Sequence, residues 1–354
     1  MPVNGRSRLR ELGVAVGLLP PGPRNAITDV PGVRVGHSTL IHGEGALVPG
    51  SGPVRTGVTA ILPHPGNPYT DKVTAAVEVI NGFGKAIGLA QIAELGELET
   101  PILLTNTLNV GLVADALVTW MLAANPRLGI DLPTVNPVVL ECNDGYLNDI
   151  QGRHVKARHV QQALAQASDE TAEGNVGAGT GMSAFGYKGG IGTSSRRLSS
   201  DAVVGCLVLA NFGRAGELRL DGELVPLSPP RGPGAVRPGD GSVIVVLATN
   251  LGADARQLGR VARRAVVGLA RVGSGLAHGS GDFVLAFATP GRERVHDVDL
   301  AEAFGAAAEA TEEAVLNALC GAETMTGRDG HVRYGLPLAE LQVWAQHRGA
   351  SREE

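Results

Sequence analysis

The sequence predicts a layered α/β or α+β sandwich, in which sheets are covered by helices. Three observations predict it. Short, nearly continuous apolar runs bounded by Gly or Pro read as strands buried on both faces. Other segments carry apolar residues at helical spacing. The two kinds alternate along 354 residues with no repeat of 20–50 residues, so the chain is not a solenoid.

The elements follow in order. Gly57–His64 (GVTAILPH) reads as a strand. Val73–Leu95 reads as a helix broken at Gly82 and Gly84. Thr100–Asn106, Asn136–Glu141, Ala202–Asn211, Ser242–Thr249 and Asp282–Thr289 complete the strands. Between the last two, Leu258, Val261, Ala262, Ala265, Val266 and Leu269 form one apolar stripe, with Arg260, Arg263 and Arg264 off it. Val298–Cys320 is a further helix, with Asp299 placed to cap it. The stretch Leu227–Gly241 is rich in Pro and Gly and reads as a long loop of the functional or mobile kind.

Composition narrows the class. Hydrophobic residues make up 44% and aromatics only 3%, so the core is built from Val, Leu, Ile and Ala. A net charge of −5 with scattered Lys and Arg leaves no basic footprint for nucleic acid. No apolar run looks long enough to span a membrane. Near the start, Glu11 interrupts the apolar stretch and no small-residue cleavage site follows, which speaks against a signal peptide and for a cytoplasmic protein. Cys142, Cys206 and Cys320 are odd in number, far apart and lack a CxxC, as in a reducing compartment. His37, His64 and His278 lack ligand spacing, so neither a metal nor a cofactor is expected.

Glu173–Arg196 is the most glycine-dense segment. Gly177, Gly179 and Gly181 give G-x-G-x-G rather than a dinucleotide fingerprint, and no G-K-[ST] follows. The glycines are expected to let the backbone pass close to another part of the fold or to line a cleft.

The sharpest feature is Ser242, a lone hydroxyl between a turn-prone lead-in and an apolar strand. A serine needs a base, and a chain's own α-amine, with a pKa of about 8, can serve. Cutting the Gly241–Ser242 bond would put nucleophile and base on one residue. Gly241 has no Cβ to hinder attack by the Ser242 hydroxyl on its carbonyl. The new terminus would begin a rigid strand. Other residues are ambiguous by themselves. Taken alone, Ser280 and Asp282 read as a turn before a strand, Asn211 as a strand terminator, Tyr146 as a packed loop residue, and Glu141 and Asp144 as solvated loop acids.

Seven blocks in order change the balance. They are Asn25–Thr39, Glu141–Asp149, Gly174–Arg196, Val208–Gly213, Gly241–Asn250, Gly279–Thr289 and Glu312–Gly330. Together they resemble the DmpA-type L-aminopeptidase/D-amino-acid esterase/amidase family, including β-peptidyl aminopeptidases, over about residues 24–340. The resemblance implies an αββα four-layer sandwich like that of N-terminal-nucleophile hydrolases, with the connectivity shared with ornithine acetyltransferases. It implies one catalytic domain, 1–354, cut before the nucleophile into an α chain 1–241 and a β chain 242–354. Ser242 matches the nucleophile, and its freed amine the general base. Ser280 and Asp282 match the second serine and its acid, Asn211 the oxyanion-stabilising amide, and Tyr146 a tyrosine lining the site. Asp282 is one methylene shorter than the Glu that family members can carry. Asp144 or Glu141 would bind the substrate's amine. The implied substrates are small peptides, amino-acid amides or esters, and the implied assembly is a homotetramer. Two alternatives stay open: an acyltransferase of the ornithine acetyltransferase type, and an uncut ligand-binding module.

Overall fold

Strands β1 (Arg34–His42), β2 (Val54–Leu62), β5 (Ile102–Asn106) and β6 (Val138–Cys142) form a four-stranded sheet in the order β1-β2-β5-β6. Strands β3 (Val73–Gly82), β4 (Glu97–Leu98), β9 (Gly190–Arg197), β10 (Val203–Asn211), β13 (Gly241–Thr249) and β14 (Ser280–Ala288) form a six-stranded sheet in the order β4-β3-β14-β13-β10-β9. Three short ribbons decorate them: β7–β8 (Ser183–Ala184 with Tyr187–Lys188), β11–β12 (Arg219–Leu220 with Glu223–Leu224) and β15–β16 (Met325–Thr326 with Val332–Arg333). In this computed structural model residues 6–230 and 241–352 are described, the last five by backbone alone. Residues 231–240, most of the predicted long loop, lie outside them.

Three apolar layers explain the stacking. One lies between the sheets, where Val35, Ile61, Leu104 and Leu140 meet Leu207, Leu209, Ile244, Val246 and Leu285. A second packs α4 (Ala255–Ala262), α5 (Ala265–Arg271) and α6 (Leu300–Gly321) on the outer face of the six-stranded sheet. A third packs α2 (Val110–Ala124) and α3 (Ala157–Ala165) on the outer face of the four-stranded sheet. The predicted sandwich is thus a four-layer αββα stack. Strand β13 shows why its sequence is uniformly apolar: Val243, Val245 and Leu247 face the helices, while Ile244 and Val246 face the other sheet.

Three readings of the sequence need correction. Val73–Leu95 is not one broken helix: Val73–Gly82 is strand β3, and only Leu89–Leu95 is helical, as α1. The β-branched Val73, Thr74, Val77, Val79 and Ile80 outweigh the helix-favouring Ala75, Ala76 and Glu78 once β3 pairs with β14. Asp299 stands at the start of α6, but its side chain makes no capping hydrogen bond. One segment, Thr107–Ala124, is by length and composition apolar enough to cross a membrane. Here Val110, Val113, Leu117 and Met121 are buried against the four-stranded sheet, which accounts for that apolar character.

Candidate active site

The site forms where four strand ends meet. Strand β13 lies between β10, antiparallel, and β14, parallel. That register sets Ser242 opposite Asn211 on one side and Gly281 on the other, and aligns Val243 with Asp282. A parallel pair needs a long crossover, supplied here by α4 and α5. Residues 39 apart in sequence, Ser242 and Gly281, therefore become neighbours.

Ser242 is buried as the first side chain inside the strand. Its Oγ donates to the carbonyl oxygen of Gly241 at 2.7 Å and accepts from the Gly281 N–H at 3.2 Å. The hydroxyl thus touches the carbonyl group it would have to attack, and a backbone donor stands ready for charge growing on Oγ. Ser280 donates to Asp282 Oδ1 at 2.5 Å, and the Val243 N–H donates to the same oxygen at 3.2 Å. The shorter acid therefore still reaches its serine. Asp282 Oδ2 is buried with no hydrogen-bond partner. Burial pushes the Asp282 carboxyl up, against the two hydrogen bonds that lower it.

Asn211 is oriented by its neighbours. Its Oδ1 accepts from the Ser183 N–H at 2.9 Å, and its Nδ2 donates to the Asn143 carbonyl at 3.1 Å. The oxygen is spoken for, so the amide presents its N–H₂ end, which has a second hydrogen to offer. Tyr146 follows Asn143 by three residues. Its ring is stacked on His331 at 4.6 Å between centroids, and the Arg333 guanidinium lies 3.5 Å from the ring centroid.

Glycine at 281 is required by close approach. A Cβ there would lie 2.5 Å from Gly84 Cα, so only glycine lets the segment after β3 lie across the site. That segment brings Glu141 with it, since a Cβ on Gly84 would lie 3.3 Å from Glu141 Oε1. Glu141 accepts from the Lys85 N–H at 2.8 Å and from the Thr107 hydroxyl.

Asp144 is fully enclosed. Burial pushes its carboxyl up to about 7, although Thr56, Asn148 and Asn106 donate to it. Its Oδ2 has no partner in the hydrogen-bond network. Below it, Lys188 is buried and donates from Nζ to the carbonyls of Gly179 and Gly189 at 2.9 and 2.8 Å. Burial holds that ammonium well below its usual range. Cys142 Sγ lies 3.4 Å from the Ser242 carbonyl oxygen. Burial first, and then Glu141, Asp282 and Asp144, push its thiol far up, so the surroundings of Ser242 are acidic. Among the described residues no group of three His, Cys, Asp or Glu could hold a metal ion.

All seven side chains singled out in the sequence fall in this region. The glycine-dense segment serves close packing, as expected: a Cβ on Gly181 would lie 2.3 Å from the Arg55 carbonyl oxygen and 2.7 Å from Asp144 Cβ. Sequence reasoning missed Gly281, Gly84, Asn143, Lys188 and Arg333. Of these only Lys188, a lone cation among glycines, left a signal, and the rest depend on register.

A strand-initial serine, an acid–serine pair on the next strand and an αββα stack define a hydrolase of the N-terminal-nucleophile fold. Comparison with known proteins gives its kin. The chain belongs to peptidase family S58, whose profile matches residues 25–333. It is 42% identical to the β-peptidyl aminopeptidase BapA of Sphingosinicella microcystinivorans, over 95% of this chain and 91% of that one. Among solved structures, the PH0078 protein of Pyrococcus horikoshii OT3 matches with a TM-score of 0.90 and 48% identity, over 97% of this chain and 99% of that one. The L-aminopeptidase D-Ala-esterase/amidase of Ochrobactrum anthropi, described as a prototype serine aminopeptidase and a variant of the Ntn hydrolase fold, matches at 0.84 and 36%, over 97% and 99%. The chain is therefore a peptidase, and neither the acyltransferase nor the binding-module alternative is favoured.

Proposed function

We propose a self-processing serine aminopeptidase whose nucleophile is Ser242. The observation that carries this is the Ser242 hydroxyl at 2.7 Å from the Gly241 carbonyl oxygen, backed by the Gly281 N–H. In processing, Oγ attacks the Gly241 carbonyl carbon, the C–N bond to Ser242 breaks, and water releases Gly241 as a carboxylate. The nitrogen leaves as the α-amine of Ser242. In turnover that amine takes the hydroxyl proton as Oγ attacks the substrate carbonyl. Ser280 and Asp282 hold the amine and pass protons. Asn211, with Tyr146, receives the developing oxyanion. The Ser242 ammonium returns that proton to the nitrogen of the scissile bond, which leaves as the first product, and water then frees the acyl group.

Glu141 is the better candidate for the substrate's own ammonium group. It stands at the Gly84–Gly281 contact beside Ser242. Asp144, poised at about 7, is a poor fixed anion and stands with Lys188. The kinship to a β-peptidyl aminopeptidase and an L-aminopeptidase supports peptides with a β- or α-amino acid at the amino end as substrates. Three buried free thiols accord with a cytoplasmic setting, and the family resemblance supports a homotetramer, which light scattering would test.

The test of processing is direct. Wild-type protein should run on a denaturing gel as pieces of about two thirds and one third of 36.4 kDa, the smaller beginning Ser-Val-Ile by Edman sequencing. Ser242→Ala should stay full length and leave aminoacyl p-nitroanilides intact. An active wild type with no species beginning at Ser242 would refute the reading.

A further inference from the structure

The buried arginines differ in how their charge is met. Arg8 pairs with Glu173 at 2.8 Å, and Arg196 with Glu309 and Glu313 at 3.0 and 2.7 Å. Arg55 donates to the carbonyls of Thr326, His42 and Val54. Arg333 has neither arrangement. It is only 8% exposed, its Nε has no hydrogen-bond partner, and its Nη1 reaches no further than the Val332 carbonyl at 3.4 Å. Among the described residues its ionisable neighbours are Tyr146, which hydrogen-bonds to it, and Lys188, so no carboxylate is among them. Burying a guanidinium without a counter-anion is costly, so the anion has to come from outside the described chain.

Its place in the site says what that anion is. The guanidinium lies on the ring of Tyr146. Tyr146 is three residues from Asn143, whose carbonyl holds the Asn211 amide, and Asn211 pairs with Ser242. Resting on the aminopeptidase reading above, we propose that Arg333 binds the free C-terminal carboxylate of a short peptide substrate, on the leaving-group side of the scissile bond. The planar guanidinium fork matches a carboxylate with two parallel hydrogen bonds. With Glu141 taking the ammonium end, both charged termini of a zwitterionic peptide are met. An extended peptide advances about 3.5 Å per residue, so a fixed guanidinium meets the carboxylate of short leaving groups and misses that of longer ones.

The experiment compares acids with their carboxamides. Purified, cut wild-type enzyme is given alanyl-alanine and β-alanyl-alanine, each beside its C-terminal amide, together with tri- and tetrapeptide acids. The kcat/KM of the better acid should exceed that of its amide by roughly ten- to a hundredfold, the range for a hydrogen bond to a charged group. The preference should fade with peptide length. In Arg333→Met the acid-to-amide ratio should fall to near one, with Arg333→Lys between. Rates on acid and amide falling together, as Tyr146 loses its platform, leave that ratio unmoved. A ratio near one in the wild type, which needs no variant to fold, overturns the subsite, as does a ratio retained in Arg333→Met. Hydrolysis of neither acid nor amide by cut wild type would instead refute the aminopeptidase reading and take the subsite with it.

Discussion

Asn211 and Asp144 show how two polar side chains near one serine come to different tasks. Ser183 fixes the Asn211 oxygen, leaving its N–H₂ to the site. Removing one oxyanion donor typically costs about 10²–10³ in kcat, so Asn211→Ala should lose that much with KM little changed, measured on aminoacyl p-nitroanilides. Asp144 is enclosed, and its carboxyl is held up at about 7 by burial. The sign of its effect on stability follows. Between the ordinary carboxylate range and pH 7 the unfolded chain has lost the proton while the folded chain keeps it, so stability falls as pH rises across that window. Asp144→Asn removes this loss. Its melting temperature relative to wild type should therefore be more favourable at pH 8 than at pH 4, read by calorimetry. An unchanged difference would place the Asp144 titration elsewhere. Ser242 and Asp282 were legible from the sequence as a match of blocks. The backbone donors that orient them, the Gly281 and Val243 N–H groups, were not, because a backbone N–H leaves no mark on residue type.

At the scale of elements, the register between β13 and β14 decides the chemistry. It brings the Gly281 amide to Ser242 Oγ and the Val243 amide to Asp282. Glycine at 281 is needed because the backbone of Gly84 crosses there. Gly281→Ala should push the Gly84 segment away, cutting activity at least tenfold while the far-ultraviolet circular dichroism stays that of the wild type. Full activity would show that the crossing is loose. The misread segment Val73–Gly82 belongs at this scale. Its local composition of Ala, Glu and Val fits either helix or strand, and pairing with β14 settles it as a strand. Strand β13 was legible because burial on both faces leaves a continuous apolar run.

For the whole molecule, the proposed cut falls within one domain. The β chain would contribute β13 and β14, which lie between β3 and β10 of the α chain in one sheet. Helix α6 adds ties across the cut: buried ones from Glu313 and Glu309 to Arg196 and from Asn317 to the Leu9 N–H, and a half-buried one from Glu313 to Arg10. Removing either partner of a buried pair typically costs about 3–5 kcal/mol, so separating the chains would break several such terms at once. The two chains should therefore co-elute in gel filtration and melt in a single transition, although they part on a denaturing gel. Separate elution without denaturant would contradict this.

By itself the sequence determined the layered class, the strand that begins at Ser242 and the family, because these reside in residue type and local period. The tertiary structure decided which groups stand beside Ser242, that Glu141 sits at the Gly84–Gly281 contact next to it, and that Arg333 is buried with no carboxylate partner among the described residues. Those outcomes depend on strand register and on burial, and both arise only when residues hundreds of positions apart are packed against one another.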